Sequence, residues 1–136
     1  MGILNKLTTV LKGKTTDLAQ WNVLTDEQQL QSVMVASEER PQLLYKHSHT
    51  CGICFMAKKE IDSTFEALEE QADMNFVNVI KARGVSNAIA QQTGIRHESP
   101  QVLLIDDRDV IWHASHHSIK GSAILEALEN KEPTET

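Results

Sequence analysis

The stretch SHTCGICFMA, Ser48 to Ala57, holds both cysteines of a 136-residue chain, Cys51 and Cys54. Just before it, QLLYKH at 42–47 is short, apolar at its centre and bounded by turn residues, which reads as a buried strand. Just after it, Ile61, Phe65, Leu68 and Ala72 step by four, three and four, one face of a helix over 52–71. The cysteines therefore fall where a buried strand hands over to a long helix. Thr50 is the expected N-cap, with Cys51 in the first turn. Free N–H groups and partial positive charge at a helix start favour a thiolate there. They lower a thiol pKa from about 8.5 toward 7 or below. Lys46 and His47 add positive charge nearby, and Lys46 is expected to assist that depression and to take part in substrate binding. Cys54, one turn on, is placed to attack a mixed disulfide formed on Cys51. Gly52 lets a substrate approach the backbone.

Working outward, Thr25-Asp26-Glu27-Gln28 has capping-box spacing, with Thr25 as N-cap and Gln28 as its return partner. Leu30, Val33 and Met34 then carry a helix over 26–38, which Pro41 ends. MNFVNVI at 74–80 alternates as a strand. Val85, Ile89 and Ala90 mark a short helix closed by Gly94. The apolar runs 101–106 and 109–114, joined through Asp107-Arg108, read as an antiparallel hairpin. Ser118 to Asn130 is a last helix, with Ile124, Leu125 and Leu128 inward. A strand–helix–strand crossover followed by a hairpin and a helix predicts an α/β fold: a four-stranded mixed sheet with helices on both faces.

The Ser99-Pro100 pair opens the 101–106 strand, a position that suits a residue with no N–H to give to the ladder. Its functional reading is a cis-proline facing the cysteines, leaving the Ser99 backbone free to pair with a bound substrate. A C-x-x-C at a strand–helix junction reads as a thioredoxin-like redox site.

Composition narrows the class. With 40% hydrophobic and 24% charged residues the chain reads as a soluble globular domain. A formal net charge of −6 disfavours nucleic acid as a partner. Two cysteines cannot make a disulfide scaffold, which points to a reducing, cytoplasmic setting. No run approaches the roughly 18 apolar residues of a spanning helix, so no membrane is expected. Residues 1–18 are expected to form an arm with a short helix, on the one-sided spacing of Ile3, Leu4, Leu7, Val10 and Leu11. Residues 19–130 form the domain, and KEPTET at 131–136 a disordered tail.

Further motifs carry a resemblance: YKHS at 45–48, the Thr50-Cys51 pair, RGVSNAIA at 83–90, HESPQ at 97–101 and WHASHHSI at 112–119. Over about the last 115 residues the chain resembles thioredoxin-fold proteins, and more closely the monothiol bacilliredoxin family of the bacillithiol system. The resemblance implies an enzyme that reduces protein disulfides, or mixed disulfides between proteins and a low-molecular-weight thiol such as bacillithiol, with no tightly bound cofactor. Carried over, Cys51 is the attacking cysteine and Pro100 the cis-proline. The family's usual motif has Pro and Ile after the first cysteine and a serine in fourth place. This chain has Gly52, Ile53 and Cys54, so dithiol chemistry is open to it.

The competing readings concern metal and histidine. His47, His49, Cys51 and Cys54 supply four possible zinc ligands within eight residues, but a strand end and a helix make one tetrahedron hard to close. An iron–sulfur cluster shared between two chains is a further form of a redox-inactive or metal-holding binding module. His116-His117-Ser118 precedes the last helix. It either caps it, with Ser118 or Ser115 as N-cap, or His116 and that helix start hold the carboxylate of a thiol co-substrate. Glutaredoxin-like folds use the corresponding loop in that way. His97 either faces the site or caps its loop. Arg83 is a solvated charge or a carboxylate clamp. Trp21, Met34, Phe65 and Met74 read as core.

Overall fold

The computed structural model describes residues 18–130. The N-terminal helix expected before Leu18 and the tail at 131–136 lie outside the described residues. Among those described, β1 (Asn22–Val23), α1 (Glu27–Ala36), β2 (Gln42–His47), α2 (Gly52–Ser63), α3 (Phe65–Gln71), β3 (Asp73–Asn78), α4 (Arg83–Thr93), β4 (Gln101–Asp106), β5 (Asp109–Ser115) and α5 (Gly121–Asn130) follow in order. The sheet runs β1-β3-β2-β4-β5. β1, β3 and β2 are parallel neighbours, while β4 lies antiparallel to β2 and β5 antiparallel to β4.

The expected sheet had four strands, and the structure has five. The addition is β1, whose two residues are too few for any period. It is fixed instead by a side-chain bond, Asn22 Nδ2 donating to Asn75 Oδ1 at 2.7 Å, with Asn22 opposite Asn75 in register. Three boundaries also move. The capping box sits one residue later, with Asp26 as N-cap and Gln29 returning the bond. β3 ends at Asn78, whose Oδ1 accepts from the N–H groups of Ile80 and Lys81 and turns the chain. The last helix starts at Gly121, after a single 3₁₀ turn at His116–Ser118.

Period-two alternation divides the core between the two faces. Leu43 and Tyr45 of β2, Met74 and Phe76 of β3, and Val102 and Leu104 of β4 pack under α2, α3 and α5. Leu44, Val77, Leu103 and Ile105 face the other way, under α1 and α4. The β4–β5 hairpin turns through Asp107 and Arg108, both at positive φ, the backbone of a tight hairpin turn. The end of α1 holds it there: Asp107 N–H donates to Ser37 O and Arg108 N–H to Ser37 Oγ, each at 2.8 Å.

The helix expected over 52–71 breaks at Thr64, whose hydroxyl donates back to Glu60 O and Ile61 O. Such back-bonding competes with the helical ladder. The start of α5 packs into the break. A Cβ at Gly121 would lie 2.5 Å from Thr64 Oγ1 and 2.6 Å from its Cγ2. We expect Gly121→Ala to cost about 1–3 kcal/mol in urea unfolding through overpacking, and Thr64→Ala to restore part of it. Equal stability of Gly121→Ala and wild type would contradict this packing.

Candidate active site

β2 ends at His47, and a tight turn follows. Cys51 N–H donates to Ser48 O at 3.3 Å, and Thr50 N–H to Ser48 Oγ at 3.3 Å. Cys51 itself, not Thr50, occupies the N-cap of α2, with extended backbone at φ −117° and ψ 120°. No full capping bond closes on its side chain. The N–H of Cys54, the Cys54 thiol and the N–H of Ile53 nevertheless favour its thiolate and hold Cys51 below the ordinary thiol pKa, against a small opposing burial. An N-cap side chain is where the first free N–H groups of a helix point, so the local fold supplies the activation.

Cys54 is fully buried. Burial pushes its thiol pKa up, partly offset by Ser99 and Ser48, and the neighbouring Cys51 raises it further. Its Sγ accepts from Ser48 N–H at 3.4 Å and lies 3.4 Å from Ser99 Oγ. The two thiols are thus pushed apart in acidity: an accessible thiol whose thiolate is favoured, and a buried neighbour whose protonated form is favoured.

The Ser99–Pro100 peptide bond is cis. Pro100 O accepts from His116 N–H at 3.1 Å, and His116 Nε2 lies 3.3 Å from Glu98 Oε1. Ser99, Pro100 and His116 are therefore brought to the end of the sheet that carries the cysteines. A Cβ at Gly52 would meet nothing within 4 Å, so space is open above the start of α2. From there a cavity of about 340 Å³ runs along α2, lined by Ile53, Met56, Lys59, His116, His117 and Lys120 among others. Ile53, Phe55, Met56 and Ile80 are exposed.

Lys46 is not brought to Cys51. It is fully buried, and alternation along β2 puts it on the face opposite Tyr45 and α2. Its contact is Gln101 Oε1, 2.9 Å from Nζ. Burial lowers its pKa to about 8, opposed by the charge of Glu98. The expectation that Lys46 acidifies Cys51 is corrected: the sheet lies between them, and Lys46 is not among the groups that shift the Cys51 pKa. A buried side chain does not touch a substrate either. His97 Nδ1 lies 3.3 Å from Ser86 Oγ. Its pKa is lowered by burial and then by the charge of Lys46. Arg83 is the exposed first residue of α4.

The role of Tyr45 escaped the sequence reading, and the positive charge expected of His47 is corrected, because the buried imidazole is neutral at pH 7. Tyr45 O–H donates to Cys54 O at 2.9 Å, so its oxygen accepts from His47 Nδ1–H at 2.8 Å. This pair underpins the first turn of α2. Its sequence signal is slight: two polar-tipped rings at alternate positions of β2. Burial lowers the His47 pKa to about 4, helped by His49 and Lys58. The unfolded chain binds this proton near pH 6.5, whereas the fold refuses it until about 4. Stability from this group is full above about pH 6.5 and falls toward pH 4, by on the order of 3 kcal/mol. His47→Phe should lose less stability than wild type in urea unfolding between pH 7 and 4.5. Equal losses would contradict the buried neutral imidazole.

Among the described residues, no three histidine, cysteine or acidic side chains converge as a set that could hold a metal. His47 is tied to Tyr45 and Cys54 is turned inward, so the four candidate ligands around the cysteines do not meet. No helix among the described residues is long and apolar enough to cross a membrane.

Comparison with known proteins gives the same architecture. A family model described as monothiol bacilliredoxin matches residues 22–124. A solved structure described as an oxidoreductase with a thioredoxin fold aligns with a TM-score of 0.70 at 27% identity, covering 79% of this chain and 93% of its own. Thioredoxin from Fasciola hepatica aligns at 0.63 and 14% identity, covering 79% and 96%. Chloroplastic thioredoxin z aligns at 0.65 and 16% identity, covering 84% and 96%.

Proposed function

The chain belongs to the monothiol bacilliredoxin family, a thiol-redox family of the thioredoxin fold, and we propose that it is a dithiol member, exchanging disulfides through Cys51 and Cys54. The observation that carries this reading is the placement of the two thiols: Cys51 accessible at the N-cap of α2, and Cys54 buried one turn on with Ser48 N–H and Ser99 Oγ on its sulfur, beside the cis Ser99–Pro100 bond. The Cys51 thiolate attacks one sulfur of a substrate disulfide. A Cys51–substrate disulfide forms, and the other substrate sulfur leaves as a thiolate that takes up a proton from solvent. The attack spends the negative charge of Cys51, which had helped keep Cys54 protonated. Cys54 then gives up its proton to solvent, with Ser48 N–H and the Ser99 hydroxyl placed to stabilise the thiolate. It attacks Cys51 Sγ. The second substrate sulfur leaves and is protonated, and a Cys51–Cys54 disulfide remains. An external thiol reductant returns the two electrons.

The substrates in this reading are protein disulfides or mixed disulfides with a low-molecular-weight thiol, which serves as co-substrate, in a reducing compartment such as the cytoplasm. Ser99 and Pro100 dock the substrate backbone beside Cys51, Gly52 leaves room for it, and His116 lies at the mouth of the cavity along α2. The test is single turnover on a reporter protein carrying one mixed disulfide with a small thiol. Release of that thiol should match, one for one, the oxidation of this protein. Absence of release from every mixed disulfide tried would sink the reading.

A further inference from the structure

Lys46 has no place in the exchange steps, yet it is a cation held wholly out of water. Burying an ammonium is costly unless partners satisfy it. Lys46 and Gln101 face each other across the β2–β4 register. Lys46 Nζ donates to Gln101 Oε1 at 2.9 Å, and Gln101 Nε2 donates onward to Arg96 O at 2.9 Å. Gln101 is also buried. Its amide is therefore fixed at both ends, acceptor to Lys46 and donor to Arg96. Arg96 opens the segment that carries Glu98, Ser99 and Pro100, and Gln101 closes it. The two ends are pinned together from the face opposite α2. At its crest, Ser99 meets the Cys54 sulfur on the other side. A free amide at Gln101 would leave Arg96 O without that donor and let the crest shift.

We propose that Lys46 is a positioning residue: through Gln101 it sets the 96–100 loop, and with it the Ser99 hydroxyl against Cys54 and the docking backbone beside Cys51. The catalytic half of this inference rests on the disulfide-exchange reading, whereas the loop half stands on its own. Lys46→Met keeps an unbranched stem one atom shorter than lysine and removes both charge and donor. The loop is reported by the His116 amide, whose N–H donates to Pro100 O at 3.1 Å; its exchange should quicken about tenfold in that variant while α2 keeps its protection. kcat/KM on the mixed-disulfide reporter should fall about tenfold, less than the roughly hundredfold that a 1 Å misplacement can cost. The pH profile of Cys51 alkylation should not move. Gln101→Ala should reproduce both effects, and the double variant should be no worse than either single one, as expected of residues acting in series. Unchanged exchange at His116, a shifted alkylation profile, or losses that multiply in the double variant would each overturn the proposal. If wild type itself does not turn over, the disulfide-exchange reading falls and exchange at His116 still decides the role of Lys46. If Lys46→Met does not fold, Gln101→Ala supplies the loop measurement.

Discussion

Cys51→Ser is expected to abolish exchange, with turnover on the mixed-disulfide reporter down on the order of a thousandfold or more. The size follows from what the N-cap supplies. The N–H groups at the start of α2 stabilise a thiolate at Cys51, but a serine hydroxyl stays protonated and does not attack sulfur at neutral pH. The fold should be untouched, because Cys51 is partly exposed and serine is a better N-cap than cysteine. Urea unfolding should therefore give a stability equal to or slightly above wild type beside the lost turnover. Activity retained in Cys51→Ser would exclude Cys51 as nucleophile. A partner still bound by the inactive variant would separate docking from chemistry.

Cys54→Ala is expected to trap the reaction halfway. The Cys51–substrate disulfide forms as before, so intact mass should show the substrate thiol bound to the protein. Its release then needs a second molecule from solution. An intramolecular thiol has the advantage of a held geometry, so release at millimolar external thiol should slow by about a hundredfold or more. A variant that accumulates no adduct and releases at the wild-type rate would mean that Cys54 does not resolve. The single-cysteine mechanism that the family's usual serine implies would then stand for this chain as well. Cys54 would be left with its bonds to Ser48 and Ser99 as a packing role.

The strand-to-helix junction and the order of the later elements were legible because each rests on several residues in period. The junction needs only the short apolar run of β2 and the four-three-four steps of Ile61, Phe65, Leu68 and Ala72. That same regularity concealed the break at Thr64, since the apolar steps continue across it while a hydroxyl bonds back to Glu60 and Ile61. The capping box was ambiguous from the start. Thr25 with Gln28 and Asp26 with Gln29 have identical spacing, and only the extended backbone at Asp26 chooses between them. β1 could not be read, because two residues have no pattern and its register depends on Asn75, 53 positions away.

The error over Lys46 has a different origin. It lies five residues before Cys51 in the chain, but the sheet separates the two in space. Alternation along β2 already argued for that separation, since Leu44 and Lys46 share a face while Leu43 and Tyr45 share the one under α2. The support that α2 receives from beneath comes from Tyr45 and His47 on that second face. A buried lysine opposite a glutamine reads as a structural bond, and its link to the loop at Ser99 exists only in three dimensions.

The central claim is that Cys51 and Cys54 form one redox couple, and a redox titration of the purified protein, read by thiol trapping and intact mass, tests it most directly. The account predicts loss of two hydrogens per chain, both thiols disappearing together. The midpoint should fall between the poises of thioredoxins and glutaredoxins, about −270 to −200 mV. A chain that keeps both thiols free across that range, or carries a mixed disulfide on Cys51 while Cys54 stays free, would contradict it.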